Sequence, residues 1–318
     1  MTASVVDVFV GTLLPVLSIA GAGYVLGQFR DLDVGPLNTV TLYLLLPALI
    51  LHSLLTTPLG GDAAVRLFGA IAAFTLVMLG LSYGVGRALG LAGTKLNALV
   101  LAASFPNVGN FGIPVSEFAF GETGRTTAVL FVAGQQVFLY TLGVYVASSG
   151  RYTTRGALRQ VVSLPLLYVV ALGVVVNAAG AAPPAGGTAM RTLELVGNAS
   201  IPVFLVVLGL ELAEANPAAA WQTTPAVALK VLVAPAIGLA VALAVGFEEP
   251  LVARTFALET AAPVAITPLA LLVEFSSAEG AEGVSGPAYL STTILLTTLG
   301  AIPVVTVLIA ALRGGALL

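Results

Sequence analysis

Residues 104–114 read Ser-Phe-Pro-Asn-Val-Gly-Asn-Phe-Gly-Ile-Pro and fall inside an apolar stretch that is long enough to cross a membrane. Pro106 and Pro114 each remove a backbone donor, and the two glycines between them weaken a helix further. The bilayer core holds no water, so freed backbone groups are tolerated there only beside a cavity or within protein. The stretch therefore predicts a transmembrane helix that is broken near mid-membrane.

A related stretch occurs 157 positions later, where residues 261–268 read Ala-Ala-Pro-Val-Ala-Ile-Thr-Pro. At this offset Pro263 corresponds to Pro106, and the Glu-Phe pair at 274–275 corresponds to the same pair at 117–118. Discontinuous helices at matching places in two inverted halves are typical of a transporter binding site. The alternative is a simple helix bundle with two incidental proline kinks.

The composition of the chain indicates that most of its surface faces lipid. Of 318 residues, 58% are hydrophobic and 8% are charged, and the mean hydropathy is +1.05. So few charges cannot cover a water-soluble globule, so we predict an all-α, multi-pass membrane protein in a lipid bilayer. Helix length and the positions of charges give about ten transmembrane helices, at 6–27, 37–56, 66–89, 96–120, 126–148, 160–180, 193–213, 226–246, 251–275 and 288–312.

Ten spans divide into two sets of five, and an odd number per set gives the second set the opposite orientation. We therefore predict two inverted five-helix repeats, residues 1–150 and residues 151–318, in which helices four and nine are broken and cross. Three basic residues lie in the central loop, 149–159, which is accordingly placed in the cytoplasm. Both termini then lie outside the cell (plasma) membrane.

Four stretches give the sequence a resemblance to the auxin efflux carrier family of secondary transporters, whose plant members are the PIN proteins. The most specific is Asn-Val-Gly-Asn-Phe-Gly-Ile-Pro at 107–114. The others are Leu-Leu-Pro-Ala-Leu-Ile at 45–50, Val-Val-Leu-Gly-Leu-Glu-Leu at 206–212 and Leu-Lys-Val-Leu-Val-Ala-Pro at 229–235. The resemblance covers the whole chain, but span nine has no Asn beside Pro263, so the substrate of auxin carriers cannot simply be transferred.

The resemblance implies the ten-helix fold with crossing helices four and nine, and it also implies a division of labour. Spans 1, 2, 6 and 7 would form a scaffold, and spans 3–5 and 8–10 would form a transport domain that moves as in an elevator. The implied function is export or exchange of a small organic carboxylate anion. A more distant similarity to the bile-acid symporter fold gives the alternative, a sodium- or proton-coupled symporter or antiporter.

Amide side chains beside the first break are the predicted substrate ligands. Asn107 and Asn110 would donate hydrogen bonds to a carboxylate without adding a fixed buried charge, together with a half-helix that begins near Ile113. Gln136 in span five would line the same cavity, with interhelical packing as its alternative role. The predicted substrate-binding residues are Asn107, Asn110, Pro106, Gly109, Pro114, Pro263 and Gln136.

Glu259 is the predicted coupling residue because it lies four residues before Pro263, well inside span nine. A carboxylate at this depth costs about 3 kcal/mol on insertion scales, so it usually marks a proton or cation site or an internal pair. No cofactor is expected, and the transported ion would be a proton or sodium. The alternative is a salt bridge with Arg254. Lys230, by contrast, is expected to extend to the membrane surface.

Several classes of function are disfavoured by what the sequence lacks. With no Cys and one His it offers no metal cluster and no thiol nucleophile, so we predict neither a metal site nor an enzyme. A net charge of −3 without a basic run argues against nucleic acid as a partner. A channel fits poorly because polarity is concentrated at two mid-span breaks, and a cation/proton antiporter is the serious rival. Small-residue motifs leave a homodimer open.

Overall fold

The computed structural model describes residues 4–30, 32–57, 59–150, 159, 161–214, 217–275 and 284–318. These residues form helices and connecting segments without a β-strand, as predicted for an all-α protein. Seven of the described helices are long and apolar enough to cross a membrane. The helices are α1 (Val5–Phe29), α2 (Val34–Thr56), α3 (Gly61–Ala88), α4 (Gly93–Ser104), α5 (Val108–Ala147), α6 (Pro165–Ala178), α7 (Thr188–Ala213), α8 (Ala220–Val245), α9 (Pro250–Thr260), α10 (Thr267–Phe275) and α11 (Gly286–Arg313).

Two of the predicted spans are interrupted. The fourth consists of α4 and the beginning of α5, which are separated by three residues around Pro106. The ninth consists of α9 and α10, which are separated by residues 261–266 around Pro263. Each interruption falls where a proline removes a backbone donor, which is the physical reason that the helix ends there.

The fourth and fifth predicted spans are joined without a loop. α5 runs from Val108 to Ala147 and bends at Gly121, whose φ of 67° and ψ of −149° are not helical. Side-chain-bearing residues rarely adopt a positive φ, so glycine permits this sharp bend. The two helical segments meet at this kink without intervening loop residues, whereas the sequence predicts a short loop between the fourth and fifth spans.

The helices pack in two groups. In the first group, α1 packs along α7, and α2 packs against α6 and α7. In the second group, α3 packs against α4, α5 and α8, while α9 packs against α5 and α8. α11 joins the second group through α4 and α8. The cavity described below lies where the two groups meet.

Large apolar side chains cover the outside of the molecule. Phe29, Tyr43 and Trp221 are 81%, 68% and 89% exposed, and many aliphatic residues on the outer helix faces are similarly open. A surface of this kind is stable against lipid rather than water. The structure therefore agrees with a multi-pass membrane protein. Most of the predicted central loop, 149–159, lies outside the described residues.

Candidate functional site

The two helix interruptions are hydrogen-bonded to each other. The backbone N–H of Asn107 donates to the carbonyl of Pro263 at 2.7 Å, and the N–H of Ala265 donates to the carbonyl of Phe105 at 3.1 Å. Pro106 and Val264 thereby form a short antiparallel bridge. Backbone N–H and C=O groups that lose their helical partners at one break thus form hydrogen bonds with the other break. In the bilayer core, where no water is present, such groups need partners within the protein.

Neighbouring helices supply further partners to the breaks. The side chain of Gln135 on α5 donates from Nε2 to the carbonyl of Pro106 at 2.9 Å. The N–H of Val264 donates to the hydroxyl of Thr297 on α11 at 3.2 Å. Both breaks are therefore fixed by specific polar contacts and are more than proline kinks.

Asn107 sets the start of the helix that follows the first break. Its Oδ1 accepts from the backbone N–H of Asn110 at 3.1 Å, which is the contact of an N-cap residue. The helix consequently begins at Val108, five residues earlier than the start near Ile113 that the sequence suggests. Because Oδ1 is engaged, Nδ2 is the part of this amide that can serve a ligand.

A cavity of about 220 Å³ lies beside the first break. Its wall contains five of the predicted substrate-binding residues: Pro106, Asn107, Gly109, Asn110 and Gln136. The two helix groups both contribute, since α2 and α7 face α5 and α10 across it. The other lining residues are Asn38, Thr41, Leu42, Leu46, Val108, Val132, Gln135, Leu139, Phe204, Glu211, Ala265, Ile266, Thr267 and Ala270.

Two predicted site residues lie outside this wall. Pro114 is buried near the start of α5, where proline is compatible with a helix. Pro263 is also buried and acts through its carbonyl, which holds the N–H of Asn107. These prolines shape the backbone around the cavity without touching a molecule inside it.

Glu259 is fully buried behind the cavity and is not part of its wall. The hydroxyl of Ser116 on α5 donates to its Oε1 at 2.5 Å, while Oε2 has no hydrogen-bond partner among the described residues. Gly112 lies directly against the carboxylate, and any side chain at that position would overlap it. Arg254 instead donates to the carbonyl of Leu318 at 2.9 Å, so the alternative of an Arg254 salt bridge is not what the structure contains.

Lys230 is buried, which corrects the expectation that it extends to the membrane surface. It is 1% exposed, and its Nζ donates to the carbonyl of Thr260 at 3.3 Å. The ring of Phe74 lies 5.9 Å from the same Nζ. Thr260 is the last residue of α9, and a helix C-terminus carries unpaired carbonyls and partial negative charge. The break therefore draws the ammonium group inward.

Glu211 is the functional candidate that sequence reasoning missed. It is 9% exposed, lines the cavity, and places Oε2 3.5 Å from Nδ2 of Asn110. It stands two residues before the end of α7, where a carboxylate is usually interfacial. The available signal was its place within the stretch 206–212, which carries part of the family resemblance.

A polar cluster centred on Arg125 fills the opposite end of the space between the two helix groups. Arg125 is 3% exposed and lies 3.5 Å from Glu117, 3.3 Å from the side-chain oxygen of Asn198, and 3.4 Å from Nδ1 of His52. His52 and Asn198 belong to α2 and α7, whereas Arg125 belongs to α5. The cluster therefore connects the same helices that enclose the cavity.

Comparison with known proteins gives one family and two relatives. A family model described as a membrane transport protein matches residues 8–309. An uncharacterized transporter of Methanothermobacter thermautotrophicus is 30% identical over 205 residues, which are 63% of this chain and 67% of that protein. A putative malonate transporter of Rhizobium meliloti is 24% identical over 323 residues, covering 96% of this chain and 97% of that protein.

Proposed function

The chain belongs to the family of membrane transport proteins that includes the auxin efflux carriers, and on this premise we propose that it is a secondary active transporter of a small organic carboxylate. It would export or exchange its substrate. The observation that carries the proposal is the pair of interrupted helices, hydrogen-bonded to each other at the wall of an amide-lined cavity. Membership of this family confirms the resemblance found in the sequence and indicates a transporter rather than an enzyme.

The cavity offers hydrogen-bond donors to an anion without a fixed positive charge. Asn107 lines its wall and has Nδ2 available as a donor, together with the start of the helical segment at Val108, whose N-terminal end carries partial positive charge. No Lys, Arg or His is among the lining residues. Amides bind a carboxylate, yet they leave an empty site that costs less to bury than an empty charged one.

A short carboxylate suits the size of this cavity. Small ligands occupy pockets of a few hundred Å³ upwards, and the volume of about 220 Å³ lies at the lower end. The relative from Rhizobium meliloti carries the name of a putative malonate transporter. Malonate is a small dicarboxylate, and it is therefore the first substrate to test.

Alternating access of the elevator type is the mechanism we propose. The two packing groups agree with a scaffold made of α1, α2, α6 and α7 and a transport domain made of the remaining helices. The matching prolines at an offset of 157 support two inverted repeats, residues 1–150 and 151–318, whose broken helices cross. The cavity lies at the boundary of the groups, where movement of one past the other would open and close it.

The cavity and the Arg125 cluster lie towards opposite membrane surfaces. The cavity uses the halves of α2 and α7 next to Val34 and Ala213, whereas the cluster uses the other halves of these helices. With the central loop in the cytoplasm and both termini outside the plasma membrane, the cavity is on the cytoplasmic side. This conformation would load an internal substrate, as export requires.

A coupled symporter or antiporter is the second candidate, and the burial of Glu259 favours it. A buried carboxylate without a cationic partner is costly unless it binds a proton or a cation. The ammonium group of Lys230 already donates a hydrogen bond to the carbonyl of Thr260, which is therefore not free to bind a sodium ion. The observed contacts thus favour a proton over sodium. Glu259 would then be the coupling residue.

Counterflow in proteoliposomes tests the proposed function. Vesicles loaded with unlabelled malonate should accumulate labelled malonate from outside, and vesicles without protein should not. Asn107→Ala should reduce this exchange at least tenfold while the amount of inserted protein is unchanged. Asn97→Ala is the matched control, because Asn97 on α4 bonds to Ser149 and does not line the cavity. Equal rates in wild type and Asn107→Ala would exclude the proposed site.

A further inference from the structure

A carboxylate faces the cavity in which another carboxylate is proposed to bind. Glu211 lines the wall and is largely buried, and its Oε2 lies 3.5 Å from Nδ2 of Asn110. Asn110 is also one of the residues expected to hold the substrate. The substrate carboxylate and the carboxylate of Glu211 would therefore share the donors of one small cavity.

No cation among the described residues of this wall compensates the two charges. Glu214, one turn further along α7, is the charged neighbour of Glu211 and is itself acidic. On the helices that pack against this part of α7 or form the cavity, the other titratable groups are exposed, lie in the Arg125 cluster, or are tyrosines. They are Asp7 and Tyr24 of α1, Arg30 directly after it, Asp33 directly before α2, Tyr43 and His52 of α2, Glu117, Glu122, Arg125, Tyr140 and Tyr145 of α5, and Glu274 of α10.

Two ionised carboxylates cannot both occupy such a space cheaply. Like charges a few ångströms apart in a poorly solvated site repel strongly, and one of the two groups then keeps a proton. A protonated carboxyl also gains a donor, so it forms a strong, charge-assisted hydrogen bond with the carboxylate beside it. One proton thus converts a repulsive contact into an attractive one.

We propose that Glu211 makes substrate binding depend on one proton, which lies between its carboxyl group and the carboxylate of the substrate. At a pH where the free site is ionised, the proton comes from the surrounding water when the substrate binds and leaves again when the substrate dissociates. No other bond changes. The role rests on the proposed function and is distinct from that of Glu259, which does not line the cavity.

Selectivity for acids follows from this arrangement. A neutral molecule of similar size has no carboxylate that could share a proton with Glu211, whereas a carboxylate substrate forms this shared-proton hydrogen bond. The cavity would therefore prefer carboxylates even though it contains no basic residue among its lining residues.

Calorimetric titration of the purified protein with malonate tests the proposal. Repeating the titration in buffers of different ionisation enthalpy measures the number of protons taken up. At pH values where malonate and the free site are both ionised, we expect uptake of about one proton per malonate and a Kd that rises about tenfold per pH unit. In Glu211→Gln the uptake should vanish and Kd should become independent of pH. Glu214→Gln, one turn away and exposed, should still take up about one proton per malonate, with a shift only in the pH range where this occurs because an acidic neighbour of Glu211 is lost.

Infrared difference spectra of the wild type provide a second measurement that does not depend on the folding of the variant. Addition of malonate should produce the carbonyl band of a protonated carboxyl group. Binding without this band and without proton uptake would overturn the role of Glu211 while leaving the proposed function intact. No binding of malonate or of other short carboxylates would overturn both.

Discussion

Asn107 connects the chemistry of the site with its backbone. Its Oδ1 caps the helix that begins at Val108, and its own N–H holds the carbonyl of Pro263 across the break. The cap fixes the orientation of this amide, whose residue lines the cavity, before a ligand arrives. Under the proposed function, this double role would tie substrate contact to the geometry of both broken helices.

Glu259→Gln tests coupling at the scale of a single side chain. The amide imitates the protonated carboxyl, so the variant should keep malonate exchange and lose the part of the pH or sodium dependence of transport that persists in Glu211→Gln. The measurement is malonate uptake by proteoliposomes under imposed proton or sodium gradients. Glu249→Gln is the control, because Glu249 precedes α9 and is exposed. A variant with the ion dependence of the wild type would assign Glu259 a structural role beside Ser116.

The sequence was sufficient to select Asn107 and Asn110, because two amides between prolines in an apolar span have few structural explanations. It was insufficient for Lys230 and Glu211. Each lies near the end of an apolar run, where a charge ordinarily reaches the membrane surface. Their burial depends on the carbonyl of Thr260 and on the packing of α7, which are tertiary features without a local signature.

At the level of helices, the two breaks are stable because the free backbone N–H and C=O groups of each one form hydrogen bonds with the other. The paired backbone of Phe105–Asn107 and Pro263–Ala265 replaces the helical hydrogen bonds that the prolines remove. The positions of the interruptions follow from the sequence because the prolines determine where the helical hydrogen bonds are lost. The continuous course of α5 through Gly121 does not follow, since a glycine near a predicted loop is equally compatible with a turn.

Arg125→Met tests the cluster that joins α2, α5 and α7. The substitution leaves Glu117 without its cation and removes the donor to Asn198, so we expect a loss of about 3 kcal/mol in the free energy of unfolding. Unfolding of the purified protein by increasing denaturing detergent measures this loss.

The control for this experiment is another Arg-to-Met change. Arg66 pairs with Glu248 at 2.8 Å, but both side chains are substantially exposed. Arg66→Met should therefore cost less than about 1 kcal/mol. Equal stability of the two variants would show that the Arg125 cluster does not hold the helices together.

For the whole molecule, elevator transport requires the two packing groups to move as separate bodies. α1 packs along α7, and α2 packs against both α6 and α7, while the cavity lies between α2 and α7 and the helices that carry the breaks. Sequence reasoning reached this division through family resemblance, because composition and periodicity say which segments cross the membrane but not which helices pack together. The orientation follows from the basic residues of the central loop, and the repeat symmetry follows from the proline offset and the odd number of spans per half; both remain predictions.

Spin-label distances in proteoliposomes test elevator movement most directly. The chain contains no cysteine, so a pair of cysteines can be introduced and labelled at two chosen positions. Phe29 on α1 and Leu89 after α3 are exposed positions in different groups. Their distance should shift by about 5 Å or more on addition of malonate, as one group slides past the other. Control pairs within a group, Phe29 with Tyr168 and Leu89 with Tyr145, should keep their distances. An unchanged distance between Phe29 and Leu89 during active exchange would contradict movement of a transport domain.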